Sequence, residues 1–180
     1  MNIFSIDQSL TRSGYVIAKQ GEIIKSGLIK TENQKRKRNI GDMCDKSRRT
    51  RDILTDIVNL IDDYDVKCLV CEEYAGYSQS KAAADALATT RTIMIAISQL
   101  KGLPLFVVAA QDAKKALTQN KLASKQQMIA HADNLYPVVM QKYKNLKTQK
   151  WKLEAADVAD AIGIYLAALR LPIVKSMAIL

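Results

Sequence analysis

Ile3-Phe4-Ser5-Ile6-Asp7, Gly14-Tyr15-Val16-Ile17-Ala18 and Glu22-Ile23-Ile24-Lys25-Ser26-Gly27-Leu28-Ile29 are three short apolar runs within the first thirty residues. A polar stretch, Gln8 to Ser13, divides the first two, and Gly21 marks a turn before the third. Apolar runs separated by turn residues predict an antiparallel meander of three strands. Working outward, residues 31–46 are polar and basic and read as a flexible link. Over residues 47–62, Ile53, Leu54, Ile57, Val58, Leu60 and Ile61 recur at helical spacing. Val66-Lys67-Cys68-Leu69-Val70-Cys71 is a compact apolar strand that ends on Glu72-Glu73. Residues 81–100 form an Ala-rich helix, and residues 103–109 a strand with Pro104 near its start, where proline is tolerated. Ser124-Lys125-Gln126-Gln127 has the pattern of a capping box opening a further helix. Residues 151–170 carry Val158, Ile162, Tyr165, Leu166 and Leu169 on one helical stripe. The order βββ-α-β-α-β-α-α describes a mixed α/β chain with no internal repeat, so residues 1–180 are expected to form a single domain.

The chain has 180 residues, of which 48% are hydrophobic and 25% charged, an ordinary globular balance that argues against disorder. No window approaches the roughly 20 uninterrupted apolar residues that cross a bilayer, so no membrane partner is expected. The N-terminus has no basic region and reaches Asp7 at once, unlike a signal peptide. Three cysteines, an odd number, point to free thiols in a reducing cytoplasm. Cys68 and Cys71 have C-x-x-C spacing, but residues three apart on a strand face opposite sides, which excludes a clip. Cys44 falls in the link. His131 is the sole histidine and reads as a partly buried helix residue, leaving little material for a histidine metal site or a Ser-His-Asp triad. No Walker-type or G-x-G-x-x-G phosphate loop is present. Trp151, amid lysines, reads as an anchor for the last helix.

The formal net charge is +9. Its excess is concentrated in two blocks. Residues 34–51 carry Lys35, Arg36, Lys37, Arg38, Lys46, Arg48, Arg49 and Arg51 against Asp42 and Asp45, a net +6. Residues 141–152 carry five lysines and no acid, a net +5. Two such blocks fit contact with a phosphate backbone.

Four acids stand out against this background. Asp7 and Glu72 each close an apolar strand, and Asp157 and Asp160 share one helix face among Ala155, Ala156, Ala159 and Ala161. The small residues let that helix approach the sheet closely. If the first and fourth strands are neighbours, all four acids meet at one sheet end. Like charges that close repel or take up protons unless cations join them. Hard divalent ions with oxygen ligands resolve this, magnesium first among them with manganese as a substitute. Two such ions hold a phosphodiester between an attacking water and the leaving 3′ oxygen.

The residues Ile6-Asp7-Gln8-Ser9, Ser13-Gly14-Tyr15, Ser26-Gly27-Leu28-Ile29-Lys30-Thr31, Val70-Cys71-Glu72-Glu73 and Ala156-Asp157-Val158-Ala159-Asp160-Ala161 together give the chain its likeness. It resembles the RuvC-type Holliday junction resolvases of the retroviral-integrase/RNase H nuclease superfamily. The resemblance implies an RNase H-like fold: a five-stranded mixed sheet, three antiparallel strands then two parallel, flanked by helices. It implies metal-binding and catalytic roles for Asp7, Glu72, Asp157 and Asp160, with Asp7 bridging two magnesium ions, Glu72 serving one and the Asp157/Asp160 pair the other. By spacing, Lys114 and Lys125 match the family's lysines near the scissile strand, with Lys125 placed in the catalytic group and Lys114 on DNA. Of the neighbours Glu72 and Glu73, the match favours Glu72. A homodimer is implied too, since two equivalent strands must be cut in a nearly two-fold substrate. The expected activity is magnesium-dependent cleavage of four-way junctions or related branched DNA. A noncatalytic branch-binding module and a nuclease on RNA–DNA hybrids are the alternatives. The chain departs from the family pattern at Gln8-Ser9, which replaces Pro-Gly, and at Ala75, which stands where the family often has a wedging Phe. Tyr74 and Tyr77 flank Ala75 and are the candidates for stacking on an unpaired base. The basic insert 35–38 adds nonspecific DNA contact.

Overall fold

Strict alternation along β1 (Asn2–Asp7) sends Phe4 and Ile6 to one side of a sheet and Ile3 and Ser5 to the other. β4 (Val66–Glu73) repeats the pattern, with Leu69 and Cys71 on the first side and Cys68 and Val70 on the second. The chain is described by a computed structural model that covers residues 1–34, 41–73 and 80–179. β1 pairs antiparallel with β2 (Arg12–Lys19), which pairs antiparallel with β3 (Glu22–Lys30). On its other edge β1 pairs in parallel with β4, and β4 in parallel with β5 (Leu105–Ala109). The sheet order is β3-β2-β1-β4-β5, three antiparallel strands followed by parallel ones, as the sequence led us to expect.

Helices cover both faces. On the Phe4 side lie α1 (Asp42–Asp63) and α2 (Lys81–Lys101), burying Ile53, Ile57, Ile61, Ile93, Met94 and Ile97. On the Ile3 side lie α3 (Ala110–Thr118), α4 (Lys125–Leu135) and α6 (Glu154–Ala168), around fully buried Met128, Ile162 and Tyr165. A short α5 (Pro137–Met140) follows α4, and α7 (Pro172–Ile179) closes the chain. No helix among the described residues is long and apolar enough to cross a membrane.

Several boundaries differ from the sequence reading. α1 starts five residues earlier, because the first-turn Asp45 is buried and held by Arg48 (2.9 Å) and Arg49 rather than solvated. Cys44 therefore lies on a helix, where it is exposed. β5 begins at Leu105, since Pro104 and Leu103 belong to its approach. α3 was not anticipated: it starts directly on the last residue of β5 and has only nine residues. The last long helix begins at Glu154, after Trp151, and stops at Ala168. The apolar tail forms α7, and its Val174 is fully buried against the α6-side core. His131 is exposed on α4, not partly buried, because Met128, Ile129 and Ala132 form that helix's inner face.

Cys68 and Cys71 lie in opposite cores, and burial pushes their thiols up to about 12 and about 11. Only a thiolate attacks a disulfide reagent. Titration with such a reagent is therefore expected to find one reactive thiol, Cys44, in native protein and all three after denaturation. Rapid labelling of three thiols in the native state would contradict this packing.

Candidate active site

Strand parity aims the acids. Ser5 donates its hydroxyl to the Ala161 carbonyl of α6 at 2.9 Å, which fixes the α6 side of β1, and Asp7 lies two residues further in the same phase. Glu72 is in phase with Cys68 and Val70 and so faces α6, whereas Glu73 points to the other side and is exposed. The β1–β4 ladder ends at Ile6↔Cys71, one residue before both acids. Gln8 bridges the gap beyond it. Its side-chain amide donates to the Glu72 carbonyl at 2.8 Å and accepts from the Glu72 N–H at 3.2 Å. Gln8 thus ties the two acid-bearing strand ends together.

α6 supplies the remaining acids. It can lie on β2 because Gly14, the ladder partner of Asp7, has no side chain: a Cβ there would sit 2.1 Å from the Asp157 carbonyl oxygen. The Ala-rich inner face of α6 continues this close approach, with Ala155, Ala159 and Ala161 fully buried. The capping box at Ser124 and Gln127 forms as expected, with bonds of 3.3 and 2.8 Å, and places Lys125 first in α4.

Asp7, Glu72 and Asp160 line one cavity of about 270 Å³, together with Lys114 from α3 and Lys125 from α4. Ala113 and Met128 form part of its apolar wall. Asp157 borders this cluster but is turned differently. Its carboxylate accepts from Arg12 at the start of β2 through both Nε and Nη2, the latter at 3.3 Å. The expected gathering of four acids thus appears as three on a cavity and one committed to an arginine. Among the described residues no three His, Cys, Asp or Glu side chains close into a ready-made metal shell.

The electrostatics follow from this layout. Burial holds Asp7 well above the usual carboxylate range, with Asp160, Glu72 and Asp157 adding to the shift and Lys125 opposing it. Glu72 is raised by burial and then by Asp160, against Lys114. Burial pushes Asp160 up to about 6, with Lys125 and Lys114 pulling down and Asp157 pushing up. Each of the three acids therefore gives up its proton less readily than a solvated carboxyl, and a cation in the cavity would offset the cause. Raised carboxyls grouped in a cleft make this cavity the candidate functional site.

A larger cavity of about 500 Å³ opens between α1 and α2, beside Leu10 and Thr11. Its charges are largely matched, Asp45 with Arg48 and Arg49, and Lys46 with Asp85. Arg49 is itself buried, donating to the Leu10 carbonyl at 2.8 Å and to Thr31 Oγ1 at 2.8 Å. This corrects the reading of the 34–51 block as a free phosphate-binding surface, since part of it holds α1 to the sheet. Lys35, Arg36, Lys37, Arg38, Tyr74 and Tyr77 lie outside the described residues.

Arg12 escaped the sequence reading, and Gln8 figured there only as a departure from the family pattern. Arg12 acts on a residue 145 positions away, and no local spacing signals such a pair. Arg12→Met is expected to destabilise the chelated protein by ~1–3 kcal/mol, because a partly buried carboxylate loses its cation. Asp157→Asn in the same chain should restore most of that loss. Denaturant unfolding of both single variants and the double variant measures the coupling; additive effects would contradict the pairing.

A family model described as crossover junction endodeoxyribonuclease RuvC matches residues 3–168. A protein of that name from Ehrlichia ruminantium (strain Gardel) is 27% identical over 171 residues, spanning 91% of this chain and 93% of the relative. Among solved structures, T. thermophilus RuvC in complex with Holliday junction substrate aligns with a TM-score of 0.68 at 16% identity, covering 93% of this chain and 92% of that one. The yeast mitochondrial Holliday junction resolvase Ydc2 aligns with a TM-score of 0.58 at 14% identity, covering 97% and 83%. These structural likenesses establish the RNase H-like fold.

Proposed function

The chain belongs to the RuvC family of crossover junction endodeoxyribonucleases, and from that premise we propose that it cuts four-way DNA junctions and related branches by divalent-metal-dependent phosphodiester hydrolysis. The observation that carries this reading is the single cavity shared by Asp7, Glu72 and Asp160, with Lys114 and Lys125 on its wall. Three carboxylates raised by burial and mutual repulsion are a donor set that suits a hard divalent ion, magnesium or manganese. Two ions bound there would lower the proton affinity of an attacking water and stabilise the departing 3′ oxygen. Asp7, on which the charges of the other acids all act, would serve both ions, with Glu72 and Asp160 as the further ligands. Asp157 completes the set once its carboxylate leaves Arg12. Lys125 and Lys114 hold non-bridging phosphate oxygens and stabilise charge that develops on them. Gln8 keeps the β1 and β4 ends in register.

A substrate with nearly two-fold symmetry calls for two copies of the chain. The exposed Ile95 and Leu100 on α2 offer apolar surface for that contact. Three free thiols accord with work in a reducing cytoplasm.

The test is a parallel digest of a four-way junction, a linear duplex and an RNA–DNA hybrid with magnesium, manganese, calcium or chelator. Nicking of the junction with magnesium or manganese, abolished by chelator, is expected. Preferred cleavage of the hybrid would instead favour the RNase H-like alternative, and binding without nicking in any metal would favour a noncatalytic module.

A further inference from the structure

The second basic block is not a loose loop. Lys144 and Trp151 form a β-bridge, the Lys152 N–H donates to the Tyr143 carbonyl at 2.9 Å, and the Asn145 N–H donates to the Lys150 carbonyl at 2.8 Å. At the tip, the Asn145 side chain accepts from the N–H groups of Lys147 (2.9 Å) and Thr148 (3.1 Å). Gln149 adopts a left-handed φ of 55°, and its side chain donates to the Leu146 carbonyl at 2.9 Å. The base is anchored: Tyr143 and Trp151 pack on the α6-side core, and the Tyr143 hydroxyl meets Ser26 Oγ of edge strand β3 at 3.2 Å. These bonds hold a short hairpin that carries Lys144, Lys147, Lys150 and Lys152, with Lys142 directly before it.

None of the five lysines pairs with a carboxylate among the described residues. Arg12, Lys30, Lys46, Arg48, Lys67 and Lys101 meet acids elsewhere; what sets this block apart is that its lysines crowd into residues 142–152 with no acid among them. Lys144 lies over the Trp151 ring, 5.0 Å from its centroid, while Lys142, Lys147, Lys150 and Lys152 are exposed. Fixing like charges together on an ordered hairpin is unfavourable unless a polyanion spreads across them.

Placement selects the polyanion. The hairpin runs directly into α6, whose first turns carry Asp157 and Asp160. Between them, Glu154 is paired with Lys30 at the end of β3. Adding one helical turn, the Lys152–Leu153 link and three extended hairpin residues puts the tip within roughly 20 Å of Asp157. That span is about six base pairs of duplex.

We propose that the hairpin at residues 143–152 grips the phosphate backbone of the duplex arm that leads away from the cut strand, about half a helical turn from the scissile phosphate. It contacts phosphate only, so it positions the arm without reading sequence. The proposal rests on the nuclease reading above, and the test separates the two.

The variant is Lys147→Gln/Lys150→Gln, at exposed tip positions whose backbone groups keep their hydrogen bonds. The control is Lys67→Gln/Lys101→Gln, an equal charge loss at the far end of the sheet. Binding to a junction with long arms is measured in calcium against salt concentration. The tip variant is expected to bind several-fold more weakly and to lower the log–log salt slope by about 1.8, that is 0.9 for each lost phosphate contact. On junctions whose arms carry uncharged methylphosphonates about four to seven base pairs from the crossover, parent and tip variant should bind alike. The control should keep the parent's slope on both substrates. An unchanged slope in the tip variant, an equal loss in the control, or a loss that persists on the uncharged arms would each overturn the hairpin assignment. If the parent itself neither prefers nor cuts junctions, the nuclease reading fails, whatever the hairpin variants do.

Discussion

Replacement of Asp7 by Asn is expected to lower junction cleavage by roughly a thousandfold or more, about 4 kcal/mol of transition-state stabilisation, without weakening junction binding. The charges of Asp160, Glu72 and Asp157 all act on Asp7, so its loss removes the carboxylate that ions held in this cavity would share. The same substitution should make the chelated protein more stable at neutral pH, an unusual direction for a buried active-site change. A carboxyl whose folded value lies above its unfolded value binds its proton more tightly in the folded state. Its contribution is therefore full below the ordinary carboxylate range and is lost as pH climbs through the folded value. Asp160, raised to about 6, should alone withdraw up to about 3 kcal/mol between pH 4 and 7 in chelator. With Asp7 replaced by a neutral amide, its own share of this decline disappears, so the decline should shrink. Magnesium should flatten it in the parent. Denaturant unfolding at pH 4, 5, 6 and 7, with and without magnesium, reads all three effects. A chelated parent whose stability rises over that range would contradict the raised carboxyls.

Gly14→Ala should be the most damaging single methyl in the protein. The added carbon would stand 2.1 Å from the Asp157 carbonyl oxygen and 2.8 Å from the Val158 nitrogen, both backbone atoms of α6. Backbone cannot rotate away as a side-chain tip does, so the first turns of α6 must lift from β2. Overpacking of this kind costs ~3 kcal/mol or more, which lowers Tm by roughly 6–12 °C in a chain of this size. Cleavage should fall even in the fraction that remains folded, because Asp157 and Asp160 ride on the displaced turns. Gly41→Ala is the control: nothing among the described residues lies within 4 Å of its Cβ, so the change should stay within about 1 kcal/mol. Comparable melting of the two variants would show that α6 does not rest on Gly14.

The sequence carried the elements whose signal is periodic. Alternation in Ile3–Ile6 and in Cys68–Cys71 marks two buried strands, and the same parity aims Asp7 and Glu72 at one face while turning Glu73 away. The alanines around Asp157 and Asp160 announce a helix that must come close, and Gly14 is the surface it approaches. What stayed hidden has no periodic mark. α3 follows β5 without a breaker, and Ala113 and Leu117 are too few to show a stripe. The first turn of α1 looks solvated because its residues are polar, yet Asp45 and Arg49 are buried against each other and against Thr31. The same pairing turns part of one basic block into structure, while the other block, of similar composition, projects on a hairpin. Charge counts alone do not separate these cases; only long-range contacts do. The commitment of Asp157 to Arg12 belongs to the same class.

The most direct measurement is anomalous diffraction at the manganese edge from crystals of the protein grown with a four-way junction and manganese. The account predicts manganese density enclosed by the carboxylates of Asp7, Glu72 and Asp160, lost in the Asp7→Asn variant. Catalytically active crystals with no manganese in that cavity, or with manganese bound at other residues, would contradict it.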